Sequence, residues 1–175
     1  MSVELVEGPM FAGKTTMCFE FIKRSLQEGR KTAVITYTGD TRYGTGLWTH
    51  NQQNVASVQG HSLGEPKIQE EVENASVVVI DEGQFFSDLK EFCDKWASEG
   101  KVVLVAALDT DFKREPFENV RDLCPDFRTK LTSACVHCQK PATFTRRKTN
   151  DKEIQMIGGA DEYEPVCRTC FSIKF

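Results

Sequence analysis

Apolar positions along the chain follow two rhythms. Residues 3–6, 32–37 (TAVITY), 76–80 (SVVVI) and 102–107 (VVLVAA) are short apolar or β-branched runs, the pattern of strands buried on both faces. Between them the period becomes helical. Cys18, Phe21, Ile22 and Ser25 share one face of a segment running from about 14 to 28, with Gly29 as its stop. Leu89, Phe92, Cys93, Trp96 and Ala97 recur at i, i+3, i+4, i+7 and i+8, which predicts a helix capped by Ser87 and ended by Gly100. Buried strands alternating with amphipathic helices predict an α/β fold whose parallel sheet is flanked by helices. From about 38 to 64 no period is sustained, so a long loop is expected there; such loops in compact domains usually serve function. After Thr132 the texture changes to paired cysteines, a basic run at 146–148 and the Gly158-Gly159 pair, which predicts a small second lobe.

Composition narrows this picture little. The 175 residues are 39% hydrophobic and 27% charged, ordinary values for a globular chain. A formal charge of −4 provides no global basic footprint, so neither a nucleic-acid partner nor a membrane is expected. No run approaches the roughly 20 apolar residues of a membrane span, and the opening MSVELVEGP has neither the basic flank nor the apolar core of a signal peptide. The expected location is cytoplasmic. Four of the seven cysteines form two CxxC pairs, which in that setting favours thiolate metal ligands over disulfides.

Three motifs carry chemistry. Residues 8–15 read GPMFAGKT, the GxxxxGK[ST] pattern of a phosphate-binding loop (P-loop). Gly8 and Gly13 let the backbone wrap phosphate oxygens, with Pro9, Met10, Phe11 and Ala12 between them. Lys14 supplies a point charge, Thr15 offers a hydroxyl to Mg²⁺, and the following helix points its positive end at the anion. Placed between a predicted strand and a predicted helix, the motif implies a bound nucleoside triphosphate. Asp81 and Glu82 follow the apolar run 76–80, where such proteins place the acid that supports the metal. The neighbouring carboxylates are expected to diverge, one toward a metal and one toward a nucleophile. Glu82 would then orient water or accept a proton from a substrate hydroxyl, and the pair alone does not choose. Third, Cys135, Cys138, Cys167 and Cys170 suit a closed tetrahedral Zn²⁺ site, structural and not catalytic. His137 lies within the first knuckle and ranks below the cysteines as a ligand. Cys18 and Cys93 fall on apolar helix faces, as small buried hydrophobes do.

In order, GPMFAGKTT at 8–16, DTRY at 40–43, TH at 49–50, IDEGQFF at 80–86, EFC at 91–93 and VAALD at 105–109 are followed by KLT at 130–132 and IGGADEY at 157–163 between the two CxxC pairs. Together they closely resemble the thymidine kinase family of the cytosolic vertebrate and poxviral type. That resemblance implies transfer of the ATP γ-phosphoryl group to the 5′-hydroxyl of thymidine, in nucleotide salvage. It implies Glu82 as catalytic base, Asp81 and Thr15 as supports for Mg²⁺, and Arg42, with Asp40 and Thr41, beside the phosphates together with Lys14. Gln84 falls in a segment that contacts the nucleotide. Met10, Phe85, Leu108, Phe112 and Phe117 match positions enclosing the thymine ring. A lasso-like substrate-covering loop would run from Thr145 to Tyr163; in it Ile154, Gln155, Met156, Ile157 and Gly158 would read the base through their backbone, and Tyr163 would touch the sugar. The resemblance further implies a homotetramer, with a dimer as the smaller assembly, and feedback inhibition by thymidine triphosphate (dTTP). The domain reading is then a nucleotide-binding unit at 1–132 and a zinc-binding lobe with its loop at 133–175. Two departures stand out: Ala12 replaces a common serine, and Thr110-Asp111 replaces a frequent Gly-Thr pair before Phe112.

Two other readings compete. A hydrolase would use Asp81 and Glu82 on water, and would leave DTRY and the thymine-wall residues without a task. A zinc-ribbon nucleic-acid module would set Arg146, Arg147 and Lys148 on phosphate, and would leave the phosphate loop unused.

Overall fold

The computed structural model describes residues 1–39, 47–48, 54–149 and 158–173. Its first part runs β1 (Ser2–Glu7), α1 (Lys14–Gln27), β2 (Thr32–Tyr37), β3 (Leu47–Trp48), β4 (Asn54–Val55), β5 (Val58–Gly60), α2 (Pro66–Glu73), β6 (Val77–Ile80), a 3₁₀ turn (Gly83–Phe85), α3 (Leu89–Ser98), β7 (Val102–Ala107), α4 (Glu118–Arg121) and β8 (Phe127–Lys130). Six of these strands form one sheet in the order β5-β2-β6-β7-β1-β8, and every pairing in it is parallel. The expected α/β architecture is the observed one.

Alternation along the central strands builds two apolar layers. Val3 and Leu5 of β1, Val78 and Ile80 of β6, and Val103 and Val105 of β7 face one layer, where Ile68 and Val72 of α2 and Leu89, Cys93 and Trp96 of α3 pack. Val6, Val77, Val79, Leu104 and Ala106 face the other layer, filled by Cys18, Phe19 and Ile22 of α1. Strands covered on both sides have no polar face to show, hence their continuous apolar runs. Register pairs Val6 with Ala106 and Ile80 with Val105, so β1, β6 and β7 end along one edge. In open parallel sheets ligands bind outside this carboxyl edge.

The structure departs from the sequence expectations in four places. Within 38–64, the predicted loop, β3 and β4 pair antiparallel, and Val58–Gly60 adds a parallel edge strand to β2; three residues are too few to show a period. Helix α2 was not anticipated, because only Ile68 and Val72 of its residues are buried. Strand β8 reads FRTK with all four residues exposed, so no apolar run announces it; its backbone pairing to β1 and an Arg128–Glu7 ion pair at 2.9 Å hold it. At α3 the cap position falls on Asp88, not Ser87. The Asp88 carboxylate is engaged elsewhere, accepting the Ser62 hydroxyl at 2.6 Å and the Gly64 N–H at 3.2 Å.

Beyond β8 come β9 (Ser133–Ala134), β10 (Pro141–Ala142), β11 (Phe144–Arg147), β12 (Tyr163–Val166) and α5 (Arg168–Phe171). They form two antiparallel pairs, β9 with β10 and β11 with β12. Cys135, Ala142, Val166, Cys167 and Cys170 make a separate small core, with Phe144 and Phe171 against it. No helix among the described residues is long and apolar enough to cross a membrane.

Trp96 is buried in the layer under α3. Trp96→Ala is expected to cost about 3–5 kcal/mol through lost transfer energy and a cavity, measured by urea unfolding of the purified variant.

Candidate active site

The loop between β1 and α1 is shaped by its glycines. A Cβ on Gly8 would sit 2.6 Å from the carbonyl oxygen of Leu131, so no side chain fits. Gly13 holds φ 90° as the N-cap of α1, a left-handed conformation that glycine adopts without strain. Lys14 is buried and curls over the loop, its ammonium donating to the carbonyls of Gly8 at 3.1 Å and Pro9 at 2.8 Å. Burial pulls its pKa down, opposed in order by Glu82, Asp81 and Asp109.

Asp81 and Glu82 leave the end of β6 in different directions. The cause is not simple strand alternation: Glu82 occupies the left-handed region at φ 56° and ψ 42°, which costs a non-glycine residue roughly 1 kcal/mol or more. Asp81 turns to α1 and accepts the Thr15 hydroxyl at 3.2 Å and the Glu82 N–H at 3.0 Å. Glu82 turns to the 3₁₀ turn, where it accepts Gln84 Nε2 at 2.6 Å. Burial first, and the neighbouring Glu82 second, push the Asp81 carboxyl up to about 7. A buried carboxylate beside a hydroxyl and an ammonium is short of positive charge, and a divalent cation held by Thr15 and Asp81 would supply it.

The base-wall candidates cluster on the loops after β6 and β7. Phe85 lies 5.0 Å from the Tyr37 ring, and the Leu108 N–H donates to Gln84 Oε1 at 2.9 Å. Phe117 packs on the core layer. Phe112 follows a turn built by Asp111, whose Oδ1 accepts the N–H groups of Lys113 at 2.8 Å and Glu115 at 2.9 Å. This turn resolves the Thr110-Asp111 departure: the carboxylate itself organises the loop. The Arg147 guanidinium lies 3.9 Å from the centre of the Phe112 ring and donates to the Tyr163 hydroxyl at 2.5 Å. Thr145 is buried and accepts the Met10 N–H at 3.0 Å, tying β11 to the phosphate loop. Gly158 is buried. Asp40, Thr41, Arg42, Thr49, His50, Ile154, Gln155, Met156 and Ile157 lie outside the described residues.

Cys135, Cys138, Cys167 and Cys170 bring their sulfur atoms within 4.8 Å of one another. A tetrahedral Zn²⁺ with bonds of about 2.3 Å spaces its ligands about 3.8 Å apart, and Cys138 and Cys167 stand at 3.6 Å. Burial raises the Cys135 thiol, but the N–H groups of Cys167, His137 and Cys138 outweigh it and hold it at about 6. Burial and the neighbouring sulfurs push Cys170 up to about 12. The set fits a structural zinc, which would allow all four to ionise. His137 stays out of it, within 3.4 Å of Glu164.

Several residues escaped the sequence reading. Asn119 donates to the carbonyls of Gly83, Gln84 and Phe86 at 3.3, 3.1 and 2.8 Å, stapling the turn that carries Gln84 and Phe85. Arg114 places its guanidinium 4.7 Å from the Phe171 ring centre, joining the Phe112 loop to the small lobe. The basic run proves structural. Arg146 pairs with Glu164 and donates to the carbonyls of Cys170 and Ile173, Arg147 is buried, and Lys148 donates to the Ala160 carbonyl. Strand alternation in FTRR was the available signal, since residues 145 and 147 share the buried face.

Comparison with known proteins adds the family. The thymidine kinase family model matches residues 1–171. The chain belongs to the thymidine kinase family. Proteins named thymidine kinase from Variola virus, Monkeypox virus and Vaccinia virus (strain Western Reserve) are each 44% identical over 171 residues, covering 97% of this chain and 96% of theirs. As a thymidine kinase by family the chain is a phosphoryl-transfer enzyme, and the carboxyl edge of its sheet carries the glycine-bounded loop, Lys14 and two separately held carboxylates, Asp81 and Glu82.

Two predictions follow from this geometry. The folded state holds the Asp81 proton between the ordinary value of 3.8 and about 7, while the unfolded chain has released it. The metal-free protein therefore loses stability as pH rises through that window. Asp81→Asn should melt above the unsubstituted protein at pH 8, the gap closing toward pH 4; a lower melting point at pH 8 would mean that the Thr15 and Glu82 hydrogen bonds outweigh the burial cost. Chelation of the zinc should raise amide exchange across β9 to α5 and leave β1, β6 and β7 protected, as read by hydrogen-exchange mass spectrometry.

Proposed function

We propose that this chain transfers the γ-phosphoryl group of ATP to the 5′-hydroxyl of thymidine, with Glu82 as the base. The observation that supports this most is the split of the acidic pair: Asp81 faces Thr15 of the phosphate loop, while Glu82 is held through Gln84 toward Leu108, a base-wall candidate. Two carboxylates with two separate settings suit two roles.

In this reading the backbone N–H groups of residues 8–15 and the N-terminus of α1 cradle the triphosphate. Lys14, which rests on the Gly8 and Pro9 carbonyls, turns to the β- and γ-phosphates. Bound magnesium, held by Thr15 and Asp81, neutralises phosphate charge. Glu82 accepts the proton of the 5′-hydroxyl as the oxygen attacks phosphorus and the bond to ADP breaks. Arg42, with Asp40 and Thr41, attends the phosphates. Met10, Phe85, Leu108, Phe112 and Phe117 enclose the base, the backbone of Ile154, Gln155, Met156, Ile157 and Gly158 reads its edge, and Thr145 and Tyr163 complete the nucleoside side. Residues 1–132 act as the nucleotide unit and 133–175 as the zinc-stapled cover. A cytoplasmic homotetramer inhibited by dTTP, the triphosphate of its own nucleoside, completes the reading.

The test compares ATP consumption with and without thymidine: turnover should require thymidine and yield thymidine monophosphate, and equal consumption in both sinks the proposal. Glu82→Gln should lower kcat by roughly 10²-fold or more, as for a lost general base, with ATP affinity kept.

A further inference from the structure

Gln84 is the least conspicuous member of the site and the most completely engaged. Its side chain is 3% exposed, in the 3₁₀ turn directly after the acidic pair. One end of the amide donates from Nε2 to Glu82 Oε2 at 2.6 Å, and the other accepts the Leu108 N–H at Oε1 at 2.9 Å. A backbone N–H can only donate, so the atom facing Leu108 must be the amide oxygen, and the amide nitrogen must face Glu82. The turn beneath is fixed as well. Asn119 collects the carbonyls of Gly83, Gln84 and Phe86, and a Cβ on Gly83 would come within 2.6 Å of Val105 Cγ1 on β7. Gln84 thus spans from the end of β7 to one oxygen of the Glu82 carboxylate, on a backbone with little room to shift.

We propose that Gln84 is a positioning residue for Glu82: its amide, oriented by the Leu108 N–H, fixes the rotation of the carboxylate that takes the proton. This rests on Glu82 being the base. A glutamate on two side-chain torsions beyond Cβ otherwise samples several orientations, and proton transfer needs its oxygen within hydrogen-bond reach of the hydroxyl. The bond from Gln84 removes the terminal torsion's freedom before substrate arrives, and its other end is a residue of the base wall. The nucleoside wall and the base are therefore set by a single amide. A direct nucleotide contact is the other role open to Gln84, and its burial and its two occupied ends leave little of the side chain to make one.

Two substitutions separate these roles from a purely structural one. Gln84→Met keeps the shape and removes both bonds. Gln84→Glu keeps an acceptor for the Leu108 N–H but replaces the donor to Glu82 with a second carboxylate. Both variants should lose kcat by about 10- to 100-fold, the scale of a mis-set reacting group. The Kd for a non-hydrolysable ATP analogue should stay within about twofold in both, and so should the thymidine KM of Gln84→Glu, which keeps the Leu108 bond. Retention of kcat by Gln84→Glu would show that only the Leu108 bond matters and would overturn the proposal. So would a weakened ATP analogue with unchanged kcat, which would make Gln84 a nucleotide contact. Glu82→Gln is run alongside: if it keeps full kcat, the base assignment itself falls and takes the inference with it. If Glu82→Gln is impaired and both Gln84 variants are not, the inference alone fails.

Discussion

Lys14, Asp81 and Glu82 crowd the carboxyl edge of an apolar sheet, and two of these three groups are buried. Water solvates such groups well and a protein interior does not, so each can keep its charge only through the others or through something brought in from outside. Lys14 is pulled down by burial and steadied by acids; Asp81 is pushed up by burial and by Glu82. Among the described residues the local charge balance is left incomplete. A divalent cation at Asp81 would supply positive charge there, and Lys14 with the N-terminus of α1 would meet the phosphates that accompany it, so the arrangement reads as a binding site and not as a structural ion cluster. The fully apolar, fully buried β6 that Asp81 and Glu82 follow makes the imbalance acute.

A second dependence runs between the sheet and the small lobe. Met10 binds Thr145 through its N–H, Ser133 donates to the Phe11 carbonyl at 3.2 Å, and two arginines cross over rings, Arg147 on Phe112 and Arg114 on Phe171. The phosphate loop, the Phe112 loop and β11 are therefore in one network, though the lobe has its own apolar core. Cation–π contacts of this kind are worth about 0.5–2 kcal/mol each, enough to set orientation and too little to hold the lobe without its own staple. A metal held by the four cysteines, whose sulfur atoms lie within 4.8 Å of one another, would supply that staple.

How much of this could be read from the chain depended on whether the signal was local. The strands at 32–37 and 102–107 and the helix α1 were legible because burial on both faces, or on one helical face, writes a period into consecutive residues. The cysteine cluster was legible because its CxxC pairs sit at a fixed short spacing, and the glycine-bounded turn into α1 was legible for the same reason. Strand β8 was not, since an exposed edge strand has no apolar run to betray it. The cap position of α3 falls on Asp88, whose carboxylate binds a residue 26 positions away, a contact that no local pattern signals. Gln84 with Leu108, Arg147 with Phe112 and Asn119 with Gly83 are all pairings across the fold, and nothing in the neighbouring residues encodes them. Asp81 and Glu82 diverge as expected, yet the reason is the left-handed backbone at Glu82, which no side-chain pattern signals.

The turn at Asp111 carries a consequence for how such a site can change over time. One carboxylate gathers the N–H groups of Lys113 and Glu115, and the backbone so shaped presents Phe112 on one side and Arg114, itself at φ 70°, on the other. Lys113 and Glu115 are exposed and bind the carboxylate through their backbone, and the Lys113 ammonium lies 5.5 Å from the centre of the Phe112 ring. Position 111 acts through its side chain, so a replacement there must supply its own acceptor for these N–H groups. A single codon there therefore acts on the Phe112 ring and on the Arg114–Phe171 tie to the small lobe together.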